Sequence, residues 1–325
     1  MVRALGLMSG GLDSTLAAMT LMRQGIEVIG ISFVTPFFGA AKARKAAEAI
    51  GFKLIVQEIS DIHLDMVKDP QYGYGRNMNP CVDCHAMMFR LAGERAEQEG
   101  ADFLFSGEVL GQRPMSQNRN ALQAVAKLCG FPEKVLRPLS ARLLPTTPME
   151  EQGLVDRDQL LDIQGRSRKR QQALARAWGY PDFPESGGGC LLTEEGFSNQ
   201  LRDLLTHDSQ ATVNDVNLLK VGRQFRLSPE VKLIVGRNQE DNQALETLAQ
   251  DHHVQLRCVN LNGPLGLLSG PADAQLLSRA AAIVASYSKG RDLPQVTVAC
   301  LTPEGRTTLG IAPMARRDVT TWQLI

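Results

Sequence analysis

Two short stretches place reactive residue types at spacings that chemistry can use. The first is SGGLDS, residues 9 to 14, which follows the apolar run ALGLM. A strand that stops at Gly-Gly and turns into a helix gathers unpaired backbone N–H groups and the positive end of a helix dipole at one point. Glycines lack a Cβ and let a phosphate reach that backbone, so Ser9, Gly10, Gly11 and Ser14 are candidate phosphate ligands. Asp13 narrows the ligand. A carboxylate beside a pyrophosphate needs a cation between them, a condition that ATP with Mg²⁺ satisfies. No lysine follows the glycines and GxGxxG is not spelled, so this is neither a Walker loop nor a dinucleotide fingerprint. A plain glycine turn joining strand to helix accounts for Gly10 and Gly11 but not for the two serines and Asp13.

The second stretch is NPCVDCH, residues 79 to 85, with Cys81 and Cys84 on the first turn of an expected helix, where the dipole favours thiolates. Several chemistries compete. CxxCH attaches c-type haem in exported proteins, and no export signal precedes it here. A thioredoxin-like pair requires its own fold around the motif, and a structural zinc site needs a second ligand pair that is absent. Cys190 in SGGGCLLT offers a further route, because three glycines before a cysteine make a close-approaching loop. Cys81, Cys84 and Cys190 would then ligate three irons of a 4Fe-4S cluster and leave the fourth iron open. Three buried apolar cysteines remain the bland alternative. Cys129, Cys258 and Cys300 lie in apolar patterns and are assigned to core.

These residues need elements to position them. Strands are expected near 2–8, 26–34, 52–59 and 102–106, with helices near 13–24, 40–50 and 83–99. Gly25, Gly51 and Gly100 fall where helix caps need positive φ. Such alternation predicts an α/β fold with a doubly wound parallel sheet. After Pro138 the pattern reads as two helices divided around Gly165. The polar stretch THDSQATVND marks a seam before a second, smaller α+β domain, giving expected domains 1–205 and 212–325. In the second domain VKLIVG, VQLRCVNL and QVTVACL read as strands and ADAQLLSRAAAIVASYS as a helix.

SGGLDS resembles the signature of the PP-loop ATP pyrophosphatases, which cleave ATP between the α and β phosphates and activate a substrate by adenylation. NPCVDCH is similar to the NPCxxC segment of tRNA 2-thiouridylases, and GEVLGQRPMSQ, residues 107 to 117, to a segment of tRNA 4-thiouridine synthetases. CxxC with a later cysteine also resembles the cluster-dependent branch of tRNA thiolation. The resemblance implies an ATP-dependent tRNA sulfurtransferase that adenylates a uridine and replaces its carbonyl oxygen by sulfur. It implies catalytic roles for Asp13, Cys81, Cys84 and Cys190, with Gln112 and Ser116 in the active-site wall. The tRNA-binding THUMP domain and the rhodanese domain of the 4-thiouridine enzymes are not found, so the sulfur donor, sulfide or a persulfide carrier, does not carry over.

Two segments suit RNA. GRSRKRQ places Arg166, Arg168, Lys169 and Arg170 at a helix start, where clustered cations oppose the dipole and favour an anionic partner. A solvated helix face is the alternative. VGRNQEDNQAL with AAAIVASYSKGRDLPQVTV resembles the NFACT-R domain, linked to RNA binding in its relatives, which implies RNA contacts from Arg237 and Lys289 and a part for Asn238, Asn242, Tyr287 and Ser288.

Composition bounds these readings. Of 325 residues 43% are hydrophobic, enough for two buried cores. With 35 basic and 35 acidic residues the net charge is zero, so any nucleic acid must be held by a local basic patch. The apolar start is too short for a signal peptide and no run of 18 apolar residues occurs, which predicts a cytoplasmic protein without a membrane partner. Six cysteines in a reducing compartment point to metal, cluster or thiol chemistry rather than disulfides. Two other readings stay open: a sulfur transferase for a small molecule, and an ATP-sensing RNA-binding protein without thiolation activity.

Overall fold

The computed structural model describes residues 1–184, 189–302 and 305–324. The chain divides into two compact units, Met1–Thr193 and Glu194–Ile325.

In the first unit β1 (Arg3–Leu7), α1 (Leu12–Met22), β2 (Glu27–Val34), α2 (Ala41–Ile50), β3 (Lys53–Glu58) and α3 (Ser60–Lys68) precede α4 (Cys81–Glu99). There follow β4 (Phe103–Ser106), α5 (Arg119–Leu128), β5 (Val135–Leu136), α6 (Pro148–Glu151) and α7 (Lys169–Ala177). All strand pairs are parallel, in the order β3-β2-β1-β4-β5. Parallel strands covered on both faces read as unbroken apolar runs, which is why the expected bounds of the first four strands are off by a residue at most. Ala4 packs with Leu16 and Leu21 of α1 and Ala175 of α7 on one face. Its neighbour Leu5 packs with Phe89 and Ala92 of α4 and Val125 of α5 on the other. This alternation makes the sheet doubly wound.

Of the two helices expected after Pro138, the one beyond Gly165 forms as α7, whereas the one before it does not run on. Thr147 and Glu150 form a capping box that starts α6, but the helix stops after one turn where Gly153 turns to φ +71°. Only a single 3₁₀ turn, Arg157–Gln159, intervenes before α7. Local pairs that start a helix do not sustain it without a buried face.

The second unit runs α8 (Glu195–His207), α9 (Val213–Leu218), β6 (Arg223–Arg226), β7 (Lys232–Val235), α10 (Gln239–Leu248) and β8 (Val254–Cys258). It continues with β9 (Gly266–Ser269), α11 (Ala274–Ser286), β10 (Val296–Thr302), β11 (Gly305–Ile311) and α12 (Arg316–Val319). Its sheet is antiparallel, in the order β11-β10-β8-β9-β7-β6. The sequence reading gave α8 to the first domain; it groups instead with the second unit, where Asp203 pairs with Arg226 of β6 at 2.6 Å. Ala280, Ile283 and Val284 of α11 build the core against Leu233, Leu256 and Val298. The outer edge of β6 is covered by residues 323–324: Phe225 bridges Gln323 and the Leu324 N–H donates to the Gln224 carbonyl at 2.9 Å.

Candidate functional site

The strand order reverses direction between β1 and β4, and the loops after these two strands meet there. Such a switch point opens a crevice at the carboxyl ends of the strands. Gly107, just after β4, packs so closely that a Cβ on it would stand 2.4 Å from the backbone nitrogen of Ser14. Gly10 has φ +71°, and a Cβ there would lie 2.1 Å from the Lys42 carbonyl carbon at the start of α2. Both glycines are fixed by backbone contact and not by ligand approach alone. Gly11 caps α1 in an extended conformation and leaves the helix N-terminus uncovered. The buried Ser14 hydroxyl donates to the Gly11 carbonyl at 3.0 Å and lies 3.2 Å from the exposed Ser9 hydroxyl.

Asp13 is the hub of a network the sequence does not show. Its Oδ2 accepts from the Gln112 amide at 2.6 Å and from Arg168 Nη2 at 2.8 Å. Gln171 donates in turn to the Gln112 carbonyl oxygen at 2.9 Å. The other carboxylate oxygen, Oδ1, is buried without a partner. A buried, unpaired carboxylate oxygen facing an anion loop fits a Mg²⁺ ligand.

Cys81 and Cys84 open α4, whose start lies at the same edge of the sheet. Cys81 Sγ donates to Asn79 Oδ1 at 3.0 Å. Burial raises the Cys81 pKa, against the opposing pull of Arg113 and of the polar neighbours Ser116 and Asn79. Ser116 therefore stands beside Cys81, whereas Gln112, four residues earlier, holds Asp13. One loop, 107–117, thus joins the nucleotide loop to the cysteine pair.

The Cys84 thiol is buried and its pKa is raised well above the ordinary value, by burial first and then by neighbouring Cys190, Cys81 and Asp83. The helix dipole, expected to favour thiolates here, loses to desolvation. Cys84 Sγ lies 3.3 Å from Nε2 of His63, which is buried between the rings of Phe37 and Phe38. Burial lowers the His63 pKa to about 4, so a neutral imidazole faces a protonated thiol at neutral pH.

Of the glycine run before Cys190, Gly187 and Gly188 lie outside the described residues. Beyond it the chain is pinned: the Leu191 N–H donates to the Phe37 carbonyl at 3.1 Å and Asn77 donates to the Thr193 carbonyl at 2.8 Å. Cys190 is half-buried and near enough to Cys84 to affect its titration. Among the described residues no three His, Cys, Asp or Glu side chains converge as ligands of one metal ion. Cys81 and Cys84 turn their sulfurs to Asn79 and His63, partners that suit protonated thiols rather than cluster thiolates.

Sequence reasoning missed the network beneath this edge. His85 Nδ1 lies 2.9 Å from Glu108 Oε1, while Arg137 Nε and the Ser106 hydroxyl donate to Oε2 at 2.9 and 3.0 Å. Burial alone would raise the Glu108 pKa, but Arg137 and His85 outweigh it and hold it at about 2. The histidine following Cys84 was the only local signal.

The basic segment divides. Arg168 is drawn to Asp13 and Arg170 to Asp162 at 2.5 Å, while Arg166 and Lys169 are exposed. In the second unit Arg237 is held by Asp241 at 2.6 Å. Asn238 caps α10, and Asn242 accepts from the Leu265 N–H, so both amides serve the backbone. Ser288 is buried and donates to the Ala285 carbonyl. Lys289 is exposed and Tyr287 is half-buried under the Arg223 guanidinium. Cys129 and Cys300 are buried as expected, but Cys258 is only half-buried and lines a polar cavity. No helix among the described residues is long and apolar enough to cross a membrane.

Residues 2–142 match the family described as thiamine biosynthesis protein (ThiI), and residues 222–323 match the NFACT protein RNA binding domain. A tRNA-specific 2-thiouridylase MnmA of Marinobacter nauticus is 31% identical over 217 residues, 61% of this chain and 52% of the relative. A probable tRNA sulfurtransferase of Staphylococcus aureus is 30% identical over 142 residues, 42% of this chain and 34% of the relative. The matched stretches span from 33% to 59% of the length of such relatives. A solved 4-thiouridine synthetase–RNA complex with bound ATP aligns at 19% identity and a TM-score of 0.39, over 56% of this chain and 42% of that one.

Proposed function

We propose that this chain, which joins a ThiI-type nucleotide domain to an NFACT-type RNA-binding domain, is an ATP-dependent tRNA sulfurtransferase. The observation that carries the reading is the loop 107–117, whose Gln112 holds Asp13 while its Ser116 stands beside Cys81. A nucleotide site and a thiol site that share one loop suit a reaction in which activation and sulfur delivery occur on the same atom.

A uridine carbonyl oxygen is a poor leaving group. Its attack on the α-phosphate of ATP expels pyrophosphate and makes the oxygen part of AMP. Ser9, Gly10, Gly11 and Ser14 are positioned for the phosphates, and Asp13 Oδ1 for Mg²⁺, which would offset charge on the departing pyrophosphate. A persulfide on one cysteine then attacks the activated carbon and releases AMP. A second thiol cleaves the resulting mixed disulfide, leaving the thiolated base on the RNA and a protein disulfide that an external thiol reductant reopens. A persulfide carrier transfers its sulfane sulfur to the reduced first cysteine; sulfide loads it only by attacking the protein disulfide, a step that forms the persulfide and frees the second thiol. Buried Cys84, beside Cys190 and Cys81, supplies a neighbouring thiol for either role. The competing assignment of Cys81, Cys84 and Cys190 to a 4Fe-4S cluster makes a separate demand, iron bound in stoichiometric amount.

The test combines the chain, prepared without oxygen, with unmodified tRNA, Mg²⁺-ATP and sulfide or a persulfide donor. We expect AMP and pyrophosphate in tRNA-dependent amounts and a thiolated uridine in the nuclease digest. Asp13→Ala should abolish both products, whereas Cys84→Ala and Cys190→Ala should abolish only the thiolated base. Pyrophosphate formed without tRNA would transfer the reading to a small-molecule substrate. RNA binding unaffected by ATP, with no AMP formed, would leave a binding protein. Iron and acid-labile sulfide lost on Cys190→Ala would replace the persulfide by a cluster.

A further inference from the structure

The second unit contains a cavity of about 700 Å³ whose lining is mostly polar and includes no carboxylate. Pockets of roughly 300–1,000 Å³ are the size that encloses a small ligand or one unit of a larger one. Four arginines reach this one: Arg223, Arg237, Arg257 and Arg316. Asp241 pairs with Arg237 and Glu246 with Arg257, so two acidic groups stand against four guanidiniums and neither lines the cavity. Arg316 is exposed, and among the described residues no acidic side chain pairs with it or with Arg223. A chain of zero net charge has therefore concentrated uncompensated positive charge in one concave place.

Arg223 is held in a particular way. Its guanidinium lies 4.5 Å over the centre of the Tyr287 ring and it also donates to the Gly236 carbonyl at 3.4 Å. A planar cation stacked on an aromatic ring offers its opposite face to a second flat group while its edge donors remain able to grip phosphate. Unstacked nucleobases pack on such planes, and phosphodiesters match the arginine fork.

We propose that this cavity binds one extruded nucleotide of single-stranded RNA, its base against the Arg223–Tyr287 stack and its phosphates toward Arg316 and Arg257. A cavity of this size opens to solvent but is too small to admit a duplex, so a loop or an end of a folded RNA is the ligand class. The inference rests on the RNA substrate proposed above, and it assigns the holding of that substrate to residues distant in sequence from the nucleotide and cysteine loops.

Cys258 lines the same cavity and provides a probe that needs no substitution. The full chain is treated with iodoacetamide with and without excess tRNA, and alkylation of the Cys258 peptide is quantified. We expect RNA to protect Cys258 and an RNA loop oligonucleotide to do the same, whereas a blunt RNA duplex should not. In parallel, tRNA binding is measured against salt for wild type, Arg316→Glu and Arg223→Glu/Arg316→Glu. Each removed phosphate contact should lower the salt slope by about 1, and the double variant should bind at least about tenfold more weakly. ATP binding should remain at the wild-type level.

Unchanged Cys258 alkylation under saturating tRNA overturns the inference, as does full tRNA affinity in a folded double variant. Protection by duplex RNA overturns the single-stranded assignment. If the variants lose tRNA but wild type forms no AMP or thiolated base, the cavity stands and the sulfurtransferase reading falls. If thiolation proceeds with unaltered tRNA affinity in the variants, the reverse holds.

Discussion

Glu108 shows how single residues at this site were chosen by their surroundings. It is buried with Arg137, which is only 8% exposed, and replacing it by Gln leaves that guanidinium without a counter-charge. Breaking a buried pair from one side costs about 3–5 kcal/mol, so Glu108→Gln should lower the unfolding free energy by that order in urea titrations. The folded pKa of about 2 lies below the ordinary 4.5, so the pair's contribution is complete above pH 4.5 and fades as pH falls toward 2. A Glu108→Gln protein should lose less stability than wild type across that window. Little of this was legible beforehand. Asp13 was recognisable from its place behind two glycines, but its partner Arg168 lies 155 positions away and was read as an RNA contact. The thiol chemistry inverted for a related reason: the dipole acting on Cys84 is a local property, whereas its burial beside His63 depends on α3, a separate element.

At the scale of elements, the meeting of the loops after β1 and β4 makes a sharp prediction about two glycines. Gly107→Ala would drive a Cβ to 2.4 Å from the Ser14 backbone nitrogen and 2.5 Å from the Asp13 carbonyl carbon. We expect a stability loss of about 1–3 kcal/mol together with loss of ATP binding. Gly11→Ala differs, because its φ of −77° suits any residue and the nearest atom to its Cβ, Ser9 Oγ, is 3.4 Å away. That variant should melt like wild type yet bind ATP poorly, since the new methyl group stands where the phosphate approaches. Calorimetric titration with Mg²⁺-ATP beside a thermal melt separates the two outcomes. The elements themselves were readable where physics leaves a strong pattern. Buried parallel strands in the first unit show as apolar runs, and Gly25, Gly51 and Gly100 do adopt positive φ at the helix ends. β6, with arginine at both ends of RQFR, and β11, largely exposed along GRTTLGI, carry no such pattern and were missed.

At the scale of the whole molecule, each unit carries one buried histidine whose pKa is lowered to about 4: His63 by burial, His253 by burial and by His252. An unfolded histidine titrates near 6.5, so protonation favours the unfolded chain as pH falls from 6.5 toward 4, and both units should weaken in that interval. The two tryptophans divide between the units, Trp178 in the first and Trp322 in the second. Trp178→Phe and Trp322→Phe proteins therefore report each unit's unfolding separately by fluorescence. His63→Gln should flatten the pH dependence only of the unit that Trp178 reports. The covering of β6 by Gln323 and Leu324 has a consequence for synthesis. A nascent chain leaves the ribosome from its first residue, and β6 emerges nearly a hundred residues before the segment that closes it. Through that interval the strand's outer edge is open to pairing with any neighbour on the same messenger RNA. Translation speed between β6 and the segment that closes it should thus influence how much of this protein escapes edge-to-edge aggregation.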